Sequence, residues 1–167
     1  MNNAVHISPI RLNDSAAVAQ LAGQLGYART PEQVSQWVQQ LDGRTDRAAF
    51  VAELDGEVAG WIEVSLVHHL QSEPFGLIGG LVVREGLRGA GVGRQLCQQA
   101  ERWTREQGVN QIRVTSRSTR EAAHRFYLRD GYRQVKVSVV FEKTLTPDER
   151  HSHPEQPESD TMQRRAL

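Results

Sequence analysis

The stretch 75–108 limits what this chain can fold into more than any other. It opens on FGLIGGLVV, an apolar run without strict alternation, which predicts a strand covered on much of both faces. It closes on VGRQLCQQAERWTREQG, where Val92, Leu96, Ala100 and Trp103 recur at spacings of three and four. That spacing predicts a helix with one apolar stripe, stopped by Gly108. A strand therefore delivers the chain to a helix N-terminus through REGLRGAGVG, a turn rich in residues without a Cβ.

Such a turn suits an anion. The first helical turn presents N–H groups with no intrahelical acceptor, and the aligned peptide dipoles favour negative charge there. Arg88 before the turn, Arg94 just inside the helix and Arg84 at the strand end add positive charge, so a phosphate or pyrophosphate is the expected guest. A Walker-type loop is excluded, because no Lys–Ser/Thr pair follows the glycines. Gly89, Gly91 and Gly93 give G-x-G-x-G and not the G-x-G-x-x-G of a dinucleotide turn.

The chain before this stretch reads as a short strand over 5–11, a helix after an N-cap at Asn13 or Asp14, and a second helix opened by Pro31. A strand over 48–53 and a strand over 58–67 are joined by Asp55-Gly56, a strong hairpin signal. On the second of these, Trp61, Glu63, Ser65 and Val67 share one face, with Ile62, Val64 and Leu66 on the other. His68 and His69 fall in a polar link, where an adjacent pair without further donors does not make a metal site. Gly79-Gly80 inside the apolar run predicts a bulge, a close ligand or crowding by the neighbouring helix.

After the organising stretch come a strand over 111–116 and a helix capped by Ser118 or Thr119 and ended by Gly131. Residues 135–145 are expected to complete the sheet. The order predicts one α/β domain over 1–145, with a mixed central sheet, antiparallel N-terminal strands, parallel strands four and five, and helices on both faces. Residues 146–167 hold three prolines, many charges and few apolar side chains, and are expected to form a disordered polar tail.

Two motifs carry a resemblance. Arg88-Gly89-Ala90-Gly91-Val92-Gly93 resembles the R/Q-x-x-G-x-G/A acyl-coenzyme A signature of the GCN5-related N-acetyltransferase (GNAT) superfamily, and 118–132 resembles that family's N-x-x-A-x-x-F-Y-x-x-x-G-F/Y signature through Ala123, Phe126, Tyr127, Gly131 and Tyr132. Arg120 departs from it, standing where Asn is usual. The resemblance implies an acetyl-CoA-dependent N-acetyltransferase that proceeds by direct attack in a ternary complex. It assigns the coenzyme to Leu81, Val82, Val83, Arg88, Gly89, Ala90, Gly91, Val92, Gly93, Arg94, Ser118, Arg120, Phe126 and Tyr127, with the pantetheine arm in a splay between strands four and five. Tyr127 is then the general acid toward the leaving thiolate, and Glu63 a candidate base. A non-catalytic acyl-CoA sensor and a protein N-terminal or lysine acetyltransferase are the alternatives.

For the acceptor, the resemblance extends to aminoglycoside acetyltransferases, and Glu53, Glu57, Glu63 and Glu73 suggest a small cationic amine. Tyr27, Trp37 and the 26–30 loop are candidate contacts. The formal net charge of zero argues against nucleic acid as a partner, and no apolar run approaches membrane-spanning length. The lone Cys97 excludes an internal disulfide and fits a cytoplasmic protein that needs no metal; a homodimer is left open.

Overall fold

The structure, a computed structural model, describes residues 4–145. The chain divides into two units, Met1–Gln134 and Val135–Leu167, and the sheet and helices belong to the first. Five strands lie in the order β1-β2-β3-β4-β5: β1 His6–Pro9, β2 Arg47–Leu54, β3 Glu57–His69, β4 Ser72–Val83 and β5 Ile112–Val114. The first four pair antiparallel and β5 runs parallel to β4. A parallel neighbour needs a crossover, which α3 Val92–Glu106 supplies.

The β2–β3 turn is Asp55-Gly56, with φ of 55° and 80°, as the hairpin reading requires. Beyond it the register slips: Glu53 pairs with Val58 but Ala52 with Gly60, leaving Ala59 as the extra residue. A second slip separates Glu63↔Gly80 from Val64↔Ile78 and leaves Gly79 as the extra residue of β4.

Alternation along β3 divides the core. Ile62 and Val64 are buried with Phe50, Ile78, Val92, Leu96, Cys97 and Ala100 beneath α3. On the opposite face Val51 packs with Val18, Ala19, Val34 and Val38 from α1 Ser15–Gln24 and α2 Pro31–Gln39, with Trp37 and Trp61 at the margin. Helix α2 starts where its sequence says: Thr30 Oγ1 accepts from Gln33 N–H at 3.2 Å, Gln33 Oε1 accepts from Thr30 N–H at 3.1 Å, and Pro31 takes the first turn.

Three readings are corrected. His68 and His69 end β3 and are not in a loop; His69 pairs with Ser72, so the link is a tight hairpin whose tip is Leu70-Gln71. Helix α4 Glu121–Arg129 has Arg120 at its N-cap with no side-chain cap bond, so neither Ser118 nor Thr119 caps it. Residues 135–145, belonging to the second unit, carry no strand. Valine-rich alternation suits a pleated surface, but a strand exists only where a neighbour completes its hydrogen bonds. The predicted tail lies outside the described residues.

Gly60 shows how tightly α3 sits on the sheet. A Cβ there would lie 2.6 Å from Val82 O and 3.2 Å from Leu96 Cδ1, while one on Gly23 within α1 would meet nothing within 4 Å. Gly60→Ala should cost about 1–3 kcal/mol, read in thermal unfolding as a melting temperature lowered by roughly 3–10 °C. Gly23→Ala should raise stability by about 0.5–1 kcal/mol through helix propensity.

Candidate active site

The parallel pairing of β4 with β5 spans only Gly76↔Ile112, Leu77↔Arg113 and Ile78↔Val114. It stops at the residue before the Gly79 bulge, so Gly80 through Val83 run on without a β5 partner. A bulge bends and twists its strand, which is how two neighbours part. The stretch left open on one side contains Leu81, Val82 and Val83.

Immediately beyond it the chain makes its glycine turn. Gly86, Gly89 and Gly91 have φ of 85°, 92° and 82°, values that side-chain-bearing residues rarely adopt, and Gly91 is the N-cap of α3. The first α3 bond of the ladder is Gln95 N–H to Gly91 O at 3.1 Å, so the amides of Val92, Gly93 and Arg94 precede any intrahelical acceptor. A Cβ on Gly89 or Gly91 would meet nothing within 4 Å. The open space and the amides together fit an anionic group laid against the backbone.

The second motif closes on the first. A Cβ on Gly93 would come 3.3 Å from Phe126 Cζ and 3.4 Å from Val83 Cγ2, so Gly93 is the seat on which α4 and β4 meet α3. Arg94 Nε holds Asp130 Oδ1 at 3.3 Å at the other end of α4. Tyr127 packs edge-on to Phe126 and Tyr132, at centroid distances of 5.2 and 5.5 Å. The two tyrosines then differ: Tyr132 Oη donates to Glu101 Oε1 at 3.0 Å, whereas the Tyr127 hydroxyl has no hydrogen-bond partner among the described residues.

On the opposite face of the sheet, the bulge shapes a cavity of about 220 Å³ lined by Trp37, Arg47, Glu63, Val64, Ser65 and Gly79. Glu63 lies over the glycine pair, since a Cβ on Gly79 would come 2.7 Å from Glu63 Oε1, and one on Gly80 2.8 Å from the Trp61 ring. The glycines therefore make room for β3 side chains, not for a helix. Burial pushes the Glu63 carboxyl above its usual range, with the Arg47 charge pulling the other way.

A strand, glycine turn and helix beside a helix carrying Phe126 and Tyr127 match known proteins over most of the chain. The profile of the Acetyltransferase (GNAT) family covers residues 17–132. The chain belongs to the GNAT acetyltransferase family. It is 32% identical over 139 residues to an aminoglycoside N(6')-acetyltransferase type 1 of Stenotrophomonas maltophilia, spanning 80% of this chain and 90% of that relative. With the aminoalkylphosphonate N-acetyltransferase of Salmonella typhimurium it shares 35% identity over 108 residues, 57% of this chain and 70% of the relative. In fold it resembles an aminoglycoside N-acetyltransferase solved in complex with CoA, with a TM-score of 0.77 at 17% identity over 87% of this chain and 98% of that one. The protein is thus an acetyl-CoA-dependent N-acetyltransferase by family.

Within this acetyltransferase the expected coenzyme residues are distributed unevenly. Val83 and Phe126 meet at Gly93, Leu81 and Tyr127 pack with them against the core cluster that holds Val92, and Arg120 is near enough for its charge to act on the Tyr127 phenol. Arg88 and Ser118 are exposed. Arg84 is not free for an anion: it pairs with Glu57 at 2.6 Å and donates to Val58 O, stitching β4 to β3. Among the four acids expected to attract a cation, Glu63 alone lines the cavity. A larger cavity of about 610 Å³ beside α1 and the β2–β3 turn holds Glu53, Glu57 and the engaged Arg84, away from both motifs.

Cys97 is fully buried, and burial foremost pushes its thiol up to about 12, so it is no nucleophile. The Tyr127 phenol is likewise pushed up to about 12, chiefly by burial. Among the described residues no helix is long and apolar enough to cross a membrane, and no group of three or more His, Cys, Asp or Glu could hold a metal.

Sequence reasoning missed Arg47, left just outside the strand expected over 48–53 but found as the first residue of β2 opposite Ser65. Counting outward from the hairpin without the Ala59 slip sets Arg47 against Val64, on the wrong face. Tyr27 was singled out, and its hydroxyl accepts from Arg117 at 3.2 Å, tying the α1–α2 loop to the segment before α4.

Gly91→Val should weaken acetyl-CoA binding by roughly ten- to a hundredfold, the strain of a left-handed branched residue, with circular dichroism unchanged. Gly91→Asn tolerates that backbone and should retain more affinity in calorimetry.

Proposed function

We propose that this chain transfers the acetyl group of acetyl-CoA to the primary amine of a small molecule by direct attack in a ternary complex. The observation that carries the proposal is the meeting, at Gly93, of a glycine turn fitted to phosphate with Val83 of the β4 edge that lacks a β5 partner and with Phe126, against which Tyr127 packs edge-on. The relatives named as acting on aminoglycosides and aminoalkylphosphonates support a small-molecule acceptor. An unpaired Cys97 supports a cytoplasmic setting.

When bound, the coenzyme supplies a thioester and a pyrophosphate. The amides of Val92, Gly93 and Arg94, with the side chain of Arg88, would hold the pyrophosphate, and Ser118 and Arg120, in the segment leading into α4, would flank it. The unpaired backbone of Leu81, Val82 and Val83 would orient the pantetheine arm and polarise the thioester carbonyl. The neutral amine nitrogen attacks that carbonyl carbon; the C–N bond forms, the C–S bond breaks and its electron pair leaves on sulfur. Glu63 takes the proton shed by nitrogen.

Tyr127 faces the sulfur as proton donor. A phenol raised to about 12 stays protonated at neutral pH but is a weaker acid than a thiol near 8.5. Full transfer to a free thiolate runs uphill, so its contribution is a hydrogen bond that strengthens as the C–S bond lengthens. Tyr127→Phe keeps the ring and should lower turnover by roughly ten- to a thousandfold with coenzyme affinity little changed. Steady-state kinetics beside calorimetry tests this, and turnover within twofold of the parent at every pH would return Tyr127 to the core.

Glu63 gives a separate test. As a base with a raised pKa, its limb in kcat/KM should rise with pH at a midpoint above the usual carboxylate value of about 4.3. Glu63→Gln should lose that limb and roughly a hundredfold or more in rate. The sign for stability is opposite. A carboxyl with its folded pKa raised favours the fold below its unfolded pKa and loses that contribution as pH rises through the folded value. Glu63→Gln should therefore be as stable as the parent at pH 7, or more so, by thermal unfolding.

A further inference from the structure

The cavity beneath α2 holds two opposite charges that make no direct ion pair. Arg47 and Glu63 both line it, yet no ion pair joins them, and Arg47 Nε is buried without a hydrogen-bond partner. The register explains the separation: Ala49 stands opposite Glu63, and Arg47 one same-face position further along β2, opposite Ser65. On the same face, Trp61 Nε1 is also buried without a partner. Orphaned buried donors are costly, each leaving a desolvated N–H unpaid by any acceptor. Arg47 and Trp61 both lack an acceptor, and Glu63 presents a carboxylate.

We propose that the acceptor is a compact amine bearing its own anionic group, a carboxylate or phosphonate seated on Arg47 with the amine toward Glu63. This rests on the acetyltransferase reading above and narrows its substrate class. A planar guanidinium pairs with either anion through parallel N–H donors, and Trp37 lines the same cavity. Volume points the same way. A cavity of about 220 Å³ falls below the roughly 300–1,000 Å³ of sites that enclose drug-sized ligands, so a molecule of a few heavy atoms fills it and a multi-ring polyamine does not. A cationic acceptor would leave Arg47 unpaired and face its repulsion.

The test is a matched series under saturating acetyl-CoA: ethylamine, putrescine, β-alanine and 2-aminoethylphosphonate, with thiol release as the readout. The anion-bearing amines should exceed ethylamine in kcat/KM by roughly ten- to a hundredfold, the worth of a charge-assisted pair, and the better of the two identifies the anion. Arg47→Gln should erase that advantage through KM, so that the anion-bearing amines fall to the level of ethylamine in the same variant, and Arg47→Lys should restore part of it. Turnover of all four at similar efficiency, or a preference for putrescine, overturns the anionic acceptor and leaves acetyl transfer standing. Should none turn over, the quenching of tryptophan fluorescence by 2-aminoethylphosphonate or β-alanine decides. Saturable quenching in the parent that Arg47→Gln loses upholds the anion site although acetyl transfer has failed, and no quenching by either overturns the anion site as well.

Discussion

Everything that makes this sheet a site depends on a glycine pair that has no room for side chains. Glu63 and Trp61 reach across from β3 and occupy the space above Gly79 and Gly80. With that space filled from β3, β4 takes one residue too many at Gly79, and its pairing with β5 ends one residue earlier, at Ile78. A bulge increases local twist, so a parallel partner that could follow a regular strand no longer follows this one. The same two glycines thus place the carboxylate on one face and open the sheet's edge next to it.

The opening is held in shape from the α3 side. Gly60 lets Val92 and Leu96 press down on the sheet, and Gly93 lets Phe126 and Val83 come into contact with the first turn of the same helix. A methyl group added at Gly60 would run into the Val82 carbonyl, while one at Gly93 would push the Phe126 ring by a few tenths of an ångström. The Arg94–Asp130 pair is exposed on the arginine side and contributes little on its own, on the order of 0–1 kcal/mol. Its effect is on direction, since it turns the arginine of the first α3 turn toward Asp130.

Much of this was legible because local chemistry decided it. Asp55-Gly56, Pro31 and the 75–108 strand, turn and helix are fixed by φ preferences and period, neither of which needs tertiary information. Ile62 and Val64 against Trp61 and Glu63 followed from alternation alone. Register did not. Ala59 and Gly79 each shift their ladders by one residue, and a one-residue slip moves a side chain to the other face. Arg47 was lost to that slip, and the strand expected at 135–145 was lost because valines announce a propensity and not a neighbour. The roles of Arg84 and Arg94 as ion-pair partners were equally hidden, for a charge count gives no hint of which acid will stand 2.6 or 3.3 Å away.

The sheet also separates the two groups proposed to handle protons, Glu63 and Tyr127. Glu63 faces the α1–α2 layer with Arg47, while Tyr127 packs against the α3 side near Cys97. Were the carboxylate and the phenol in contact, the acid would be hydrogen-bonded to the base, as Tyr132 is to Glu101 at 3.0 Å. That arrangement removes Tyr132 from any reaction: its hydroxyl is spent on a carboxylate, and burial with the Glu101 charge raises its pKa further. Tyr127 escapes the same fate because no acidic side chain reaches its hydroxyl. On the proposed reading, an amine over Glu63 and a thioester along the open β4 edge meet where β4 and β5 part, with the proton taken on one face and a hydrogen bond given on the other.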